Sequence, residues 1–344
     1  MAIPKGFLLA ILGCICLCSS AVMSARELND ATMMERHEQW MAKFNHVYKD
    51  GTEKAHRYEV FKANVAFIES FNAGNHKFWL GVNQFTDLTN DEFKATKTNK
   101  GLKRSGSRAP TRFKYNNVST DALPTTVDWR TKGAVTPIKD QGQCGCCWAF
   151  SAIAATEGIV KLSTGKLVSL SEQELVDCDV HGVDQGCDGG EMDDAFKFII
   201  KNGGLTTEAN YPYTAQDGQC KTSIASNNVA TIKGYEDVPE MPANDESSLM
   251  KAVANQPVSV AVDGGDVMFQ HYSSGVMTGS CGTDLDHGIA AIGYGMTSDG
   301  TRYWLLKNSW GTTWGESGYL RMEKDISDKS GMCGLAMQPS YPTE

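Results

Sequence analysis

Residues 141–150 read QGQCGCCWAF. Cys144, Cys146 and Cys147 fall within four positions, and three thiols that close cannot all be structural. The stretch runs into CWAFSAIAATEGIVKLS (147–163), an apolar helix that ends near Gly165. Cys147 therefore opens a helix, where unpaired N–H groups and the helix dipole favour negative charge. A thiol attacks as thiolate, so its pKa must be lowered, and a helix N-terminus is one place where that happens. Cys146 lies one residue earlier and should point elsewhere, while Cys144 sits in the Gly-rich loop before the helix.

A nucleophilic cysteine needs a base. Beyond Leu123 there are three histidines. His181 lies in CDVHGVDQGC, a polar loop between two cysteines, and reads as solvated. His271, in MFQHYSSG, has no marked context. His287 enters an apolar, Gly-rich strand, DHGIAAIGYG, 140 residues after Cys147. A histidine at the mouth of a strand can face a helix N-terminus across a cleft. Asn308, in LLKNSWG at the end of the next strand, is placed to hold the imidazole tautomer.

The elements between these residues set the fold class. SEQELVDC (171–178) opens with Ser171 as a cap and Glu174 three residues later, a capping-box pattern. EMDDAFKFIIKNGG (191–204) is a short helix stopped by Gly203 and Gly204. Then the period changes. PVSVAV, HGIAAIGYG, RYWLLKNSW and GYLRME are rich in β-branched and aromatic residues, broken by glycines, and read as strands. A helical half followed by a strand half predicts an α+β fold with two lobes and a cleft between them.

The chain has 344 residues, enough for more than one domain. It starts MAIPKGFLLAILGCICLCSSAVMSA, with an early Lys5, an apolar run from Phe7 to Leu17 and then small residues. That is the pattern of a secretory signal peptide cleaved between Ala21 and Ala25. As a membrane anchor the run is too short to span comfortably. No later segment is apolar enough, so the mature chain is expected to be soluble. Residues 27–72 read as helical, with Tyr58, Phe61, Val65, Ile68 and Phe71 at three- and four-residue spacings. Residues 97–122 are polar and basic and read as an exposed linker of the kind proteases cut. Within them Asn117-Val118-Ser119 is the one N-glycosylation sequon.

Cysteine and charge divide the chain at nearly one place. Of eleven cysteines, Cys14, Cys16 and Cys18 leave with the signal, and eight lie between Cys144 and Cys333, bound for an oxidising compartment. Residues 1–122 hold 17 Lys+Arg against 12 Asp+Glu, net +5; residues 123–344 hold 15 against 29, net −14. A basic front and an acidic back suggest mutual binding, with chance fluctuation as the plain alternative. The acidic back argues against nucleic acid as its partner.

The motifs together bring a family into view. CGCCW resembles the Cys-Gly-(Ser/Ala)-Cys-(Trp/Tyr) signature of papain/cathepsin proteases, whose His and Asn lie far downstream. DHGIAAIGYG and KNSWGTTWGESGY resemble the same family. Glu53, Arg57, Phe61, Asn64, Ile68 and Asn72 match the interspersed helical motif of its inhibitory propeptide, and GVNQFTD matches the second motif through Gly81, Asn83, Phe85 and Asp87. The resemblance covers residues 30–344, nearest to plant vacuolar or senescence-associated members.

The resemblance implies a two-lobed papain-like α+β fold, with a helical lobe over about 134–235 and an antiparallel β-barrel lobe over about 236–340. It implies a signal over 1–25, an inhibitory propeptide over 26–122 and a peptidase domain over 123–344. It makes Cys147 the nucleophile, His287 the general base and then acid, Asn308 the orienting residue with Trp310 as its shield, and Gln141 an oxyanion donor beside the Cys147 N–H. It pairs Cys144–Cys187, Cys178–Cys220 and Cys281–Cys333, one of the fifteen pairings that six cysteines allow. Gly189 and Gly190 are to pair with an extended peptide. Met192, Ala261 and Leu285, with Asp286 beside them, are to line an apolar pocket for the substrate residue two before the scissile bond. Glu191 replaces a residue that is usually apolar or aromatic in the family and Gln338 sits where the pocket floor is expected; together they are expected to admit some basic or polar residues, while the plainer reading of Glu191 is a solvated rim charge. No cofactor or metal is implied. The implied partners are protein and peptide substrates, the chain's own propeptide and cystatin-like inhibitors, for a monomer in the vacuole or lysosome, or outside the cell.

Cys146 stands where the family has Ser. A Cys146–Cys147 bridge would be strained, so Cys146 reads as a small polar-surface filler, with a redox role unsupported. Three rivals exist. A C-x-x-C redox protein lacks a thioredoxin-like βαβ pattern here. A zinc site from Cys178, His181 and Cys187 lacks its second pair. A dead homologue would have lost some of Cys147, His287, Asn308 and Gln141, and all four are present.

Overall fold

The computed structural model describes residues 31–99, 102, 113–239, 246–279 and 281–344. The signal sequence and much of the basic 97–122 stretch lie outside the described residues. The chain packs as two compact units, one running to Phe67 and including Thr86–Leu88, the other made of Ile68–Phe85 and Thr89–Glu344.

In the first unit residues 31–44 are helical (α1), and Gly51–Asn72 forms α2. The stretch 27–72, read as helical, is two helices among the described residues, with a break at 45–50. Asn45 takes a left-handed backbone, φ 56°, and Asp50 restarts the helix by accepting from the N–H groups of Thr52 and Glu53, both at 2.9 Å. Two residues of the helical motif then reach sideways. Arg57 donates to the Asp87 carbonyl at 3.1 Å, and Asn64 Nδ2 donates to the carbonyls of Thr86 and Leu88 at 2.9 Å each. These bonds satisfy backbone acceptors that no strand pairs.

The second unit begins in the last turn of α2. There the Asn72 carboxamide bonds both backbone groups of Leu80, at 2.8 and 3.0 Å, and docks β1 (Phe78–Leu80). Helix α3 (Asn90–Lys97) follows, opened by a full capping box between Thr89 and Glu92. At three and eight residues, these elements are too short for hydrophobic period to reveal.

The remaining elements run β2 (Val127–Asp128), α4 (Cys147–Thr164), α5 (Glu172–Cys178), α6 (Met192–Asn202), α7 (Thr222–Ala225), β3 (Gly234–Asp237), α8 (Glu246–Asn255), β4 (Val258–Val262), α9 (Val267–His271), β5 (Tyr272–Met277), β6 (His287–Met296), β7 (Arg302–Lys307), β8 (Tyr319–Glu323) and β9 (Ser340–Thr343). The four strands expected from sequence are β4, β6, β7 and β8. Helices α8 and α9 interrupt what reads as a strand half. The capping box expected at Ser171 is half made. Ser171 Oγ accepts from Glu174 N–H at 3.0 Å, but the Glu174 carboxylate turns to Thr206 N–H and Asn202 Nδ2.

The strands line up as β1-β5-β8-β7-β6-β4-β9-β3, with β2 on β6. This is an open path rather than the closed antiparallel barrel expected, because its end strands β1 and β3 do not pair with each other. One neighbouring pair, β5 with β8, is parallel. Helix α4 lies against the sheet and is buried at every residue from Cys147 to Val160. Burial on all sides forces its polar groups to find partners. Ser151 Oγ donates to the Ile289 carbonyl at 2.7 Å, and Ser259 Oγ donates to the Ser151 carbonyl at 2.9 Å. The helix ends at Gly165, whose φ of 77° is the left-handed cap geometry. Around it Trp148, Leu175, Phe196 and Ile199 form the core, each worth about 1.5–3 kcal/mol of burial. No helix among the described residues is long and apolar enough to cross a membrane.

Candidate active site

The fold brings the start of α4 against the start of β6. Cys147 Sγ accepts a hydrogen bond from Gly288 N–H at 3.3 Å, so thiol and imidazole occupy adjacent places. His287 Nε2 lies 2.8 Å from Asn308 Oδ1. That oxygen also accepts from Ser309 N–H at 2.8 Å, so Nε2 carries the imidazole hydrogen and Nδ1 keeps its lone pair. Nδ1 has no hydrogen-bond partner among the described residues, and Cys147 and His287 are not bonded to each other. Trp310 stacks on His287 at 4.5 Å between centroids and 26° between planes, covering the His287–Asn308 bond.

Gln141 is fully buried. Its Nε2 donates to the Cys144 carbonyl at 3.0 Å, and its Oε1 accepts from Ser309 Oγ at 2.7 Å. Ser309 therefore organises both Asn308 and Gln141. Sequence reasoning passed over it, although it follows Asn308 directly.

The last residue of α3 and the residues just after it lie against these side chains. Lys97 Nζ donates to the Gly142 carbonyl, and the Lys97 carbonyl lies 3.4 Å from Gln141 Nε2. Asn99 N–H donates to the Asp286 carbonyl at 2.6 Å. The Asn99 carboxamide pairs with both backbone groups of Gly190, donating at 2.6 Å and accepting at 3.3 Å. Leu102 joins the buried cluster that contains Met192, Ala261 and Leu285. Lys97, Asn99 and Leu102 thus correct the reading of 97–122 as exposed, as do buried Phe113 and Tyr115. A polar composition does not disclose that a segment fills a groove. Earlier in the chain, Phe85 and Phe93 pack edge-on against Trp310 at 5.8 and 5.2 Å.

Burial governs the electrostatics. It pushes the Cys147 thiol up to about 12, against the pull of the Gly288 N–H. It holds His287 down at about 4, against the Asn308 bond. Asp286 is pushed up to about 7 by burial, with the Gly264 N–H opposing. The lowered thiol pKa expected at a helix N-terminus is therefore absent from this covered form.

The other site residues fall as follows. Gly189 bonds Gln185 N–H through its carbonyl. Glu191 is buried, not a solvated rim charge, beside the Asn99–Gly190 pair. Gln338 is buried. Asn117 is exposed in a turn. Disulfides join Cys144–Cys187, Cys178–Cys220 and Cys281–Cys333, which removes two of the three ligands of the zinc alternative. Cys146 and Cys147 are free thiols. Cys146 is fully buried and bonded to Tyr213 at 2.9 Å, so it is not a polar-surface filler.

Residues 123–343 match the family model of papain family cysteine proteases, and residues 37–93 match the cathepsin propeptide inhibitor domain (I29). The chain belongs to the papain family of cysteine proteases. It is a cysteine protease precursor that carries its own inhibitory propeptide. The senescence-specific cysteine protease SAG39 of Oryza sativa subsp. indica is 78% identical over 344 residues, covering 100% of both chains. The senescence-specific cysteine protease SAG12 of Arabidopsis thaliana is 55% identical over 332 residues, covering 95% of this chain and 94% of its own. Among solved structures, a recombinant stem bromelain precursor superposes with a TM-score of 0.83 at 48% identity, covering 91% of this chain and 99% of that one. The proform of the ragweed pollen allergen Amb a 11, also a cysteine protease, gives 0.83 at 42%, covering 90% and 94%.

Proposed function

We propose that this precursor becomes an endopeptidase in which Cys147 attacks the peptide carbonyl. Once water re-enters the groove, His287 Nδ1 takes the thiol proton. The thiolate adds to the carbonyl, the tetrahedral oxyanion rests on Gln141 Nε2 and Cys147 N–H, and His287 returns the proton to the leaving amine. Water then hydrolyses the thioester. Asn308 holds the productive tautomer throughout. The observation that carries this reading is the single geometry at the α4–β6 junction, Cys147 Sγ on Gly288 N–H and His287 on Asn308.

Leu102 among Met192, Ala261 and Leu285 supports a preference for an apolar residue two before the scissile bond. Residues 26–122 hold 16 Lys+Arg against 12 Asp+Glu, net +4, and that charge against −14 on residues 123–344 supports release of the propeptide in acid, with cleavage between 97 and 122 freeing the peptidase that begins at Leu123. A linker-cleaved product that appears as fast at about pH 7 as at about pH 5 removes that support. The reading places the enzyme in the secretory pathway, bound for the vacuole, lysosome or cell exterior, as a monomer open to cystatin-like inhibitors.

The test is active-site labelling. After acid activation an epoxysuccinyl inhibitor should abolish peptidase activity as its mass appears on Cys147 alone, and Cys147→Ala should be inert. Activity that survives full labelling of Cys147, or a label on Cys146, overturns the assignment.

A further inference from the structure

We propose that Cys146 is a positioning residue for hydrolysis: through the Tyr213 hydroxyl it ties the start of α4 to the backbone of Gln141, and so fixes the spacing of the two oxyanion donors. The inference rests on the oxyanion role given above to Gln141.

Cys146 precedes Cys147 at the N-cap of α4 yet makes no side-chain cap bond. Its Sγ lies 2.9 Å from Tyr213 Oη, and Tyr213 Oη donates to the Gln141 carbonyl at 2.7 Å. A carbonyl can only accept, so the one phenol hydrogen is committed to Gln141. The hydrogen between Cys146 and Tyr213 must then come from the thiol. The thiol has it to give, because burial pushes Cys146 well above the ordinary thiol range.

Tyr213 is itself held in place. Its ring meets Phe150 edge-on at 5.0 Å and 86°, and its N–H donates to Glu208 Oε1 at 2.9 Å. Gln141 is held by Ser309, by Tyr213 and, within its own loop, by Cys144. Ser309 holds it from the end of β7, through Oγ to Oε1 and through its carbonyl to Gln141 N–H at 2.8 Å. Tyr213 holds it from the side of α4. Of these, the Tyr213 link is the one that reaches the N-cap of the helix that carries Cys147. The intervening loop is a poor ruler on its own: it contains Gly142 and Gly145, and Gly142 has a left-handed φ of 62°. The Cys144–Cys187 disulfide anchors that loop to the 186–188 turn, and Cys144 bonds Gln141 within the loop, its N–H donating to the Gln141 carbonyl at 3.3 Å and its carbonyl accepting from Gln141 Nε2 at 3.0 Å.

The test uses the acid-activated enzyme. Tyr213→Phe keeps the ring against Phe150 and removes only the hydroxyl. A peptide aldehyde reads the oxyanion donors, because its adduct with Cys147 puts oxygen where the transition state does. Iodoacetamide alkylation forms no such oxygen. Tyr213→Phe should weaken aldehyde binding and lower kcat about tenfold, with KM and the alkylation rate within about twofold. Cys146→Ala should move the same way, and Cys146→Ser, which keeps a donor, should restore most of the loss. If Gln141→Ala weakens aldehyde binding but Tyr213→Phe and Cys146→Ala leave it within about twofold, the tie is refuted. If Gln141→Ala itself has no effect, the oxyanion assignment beneath it fails. Alkylation that slows in step with aldehyde binding means a collapsed site, and also overturns the proposal.

Discussion

His271 should make the precursor lose stability in acid, and replacing it should remove that loss. The residue is 0% exposed at the end of α9. The Gly81 N–H bonds its carbonyl at 2.8 Å, and β1 pairs with the strand that follows it. Burial holds its pKa at about 4, against 6.5 for a free imidazole. The sign follows from proton counting. Above about pH 6.5 both folded and unfolded states leave the ring neutral, and it contributes nothing. As pH falls, the unfolded chain binds a proton that the folded one refuses, so stability drops until the pH reaches the folded value. The gap of 2.5 units costs about 2.5 kcal/mol by pH 4.5 and about 3.4 kcal/mol at the acid limit. The assay is urea unfolding of the Cys147→Ala precursor, which cannot cut itself, at about pH 7 and about pH 4.5 and constant salt. His287 has a like depression, so the parent falls from both residues, and comparison with His271→Phe isolates the one. The variant should lose about 2.5 kcal/mol less than the parent between the two pH values. Equal losses would refute the reasoning.

Three further outcomes test other parts of the structure. In Gly264→Ala the new Cβ would sit 2.7 Å from His287 Cβ and 3.1 Å from its Cγ; displacing the imidazole should cut kcat/KM about a hundredfold with the unfolding midpoint nearly unchanged, and unaltered kinetics would show that His287 has room to spare. Asn99→Ala removes both carboxamide bonds to Gly190; at about 0.5–1.5 kcal/mol per bond, the uncut precursor at neutral pH should react about ten times faster with an epoxysuccinyl reagent, and an unchanged rate would deny Asn99 a part in closing the groove. Burial and the facing Asp179 push Asp184 up to about 10, so it is protonated at neutral pH while Oδ1 accepts from Glu191 N–H; by urea unfolding Asp184→Asn should fall within about 1 kcal/mol of the parent and Asp184→Ala should lose about 1–3 kcal/mol, and equal losses would mean that the carboxyl is not needed as an acceptor.

What sequence disclosed here was whatever period or fixed spacing could carry. Helix α4 shows itself by an apolar run and stops at a glycine that takes left-handed backbone. Strands β6 and β7 show themselves by β-branched and aromatic runs, which is how His287 and Asn308 could be placed at neighbouring strand ends. Residues whose role is set by a distant partner stayed hidden. Nothing near Cys146 in the chain announces Tyr213, 67 positions away, so its burial could not be read. Lys97 and Asn99 have the composition of a linker, and their partners Gly142 and Gly190 are 45 and 91 positions on. The break between α1 and α2 turns on Asn45, a residue tolerant of left-handed backbone but not restricted to it.

The inverted pKa values at the site explain how covering it can be enough to silence it. A helix N-terminus favours a thiolate by about 0.3–1 kcal/mol, and by about 2 kcal/mol in favourable partly buried geometry. Against it stands the shift of Cys147 from 9.0 to about 12, three units, or about 4 kcal/mol. Burial wins. It also drives His287 toward the neutral form, so in the covered precursor a proton transfer from Cys147 to His287 is opposed at both ends. Nothing in the machinery is dismantled: the His287–Asn308 bond stands at 2.8 Å, and Trp310 stays stacked on the ring. The cover consists of residues on either side of the thiol, Lys97 at Gly142 and Asn99 at Gly190 and Asp286, with Leu102 beyond them. On the proposed mechanism, loss of those residues would readmit water while the N-terminus of α4 still faces the thiol. The opposing 4 kcal/mol then shrinks while the helix contribution remains, and the balance that keeps the thiol protonated tips toward the thiolate.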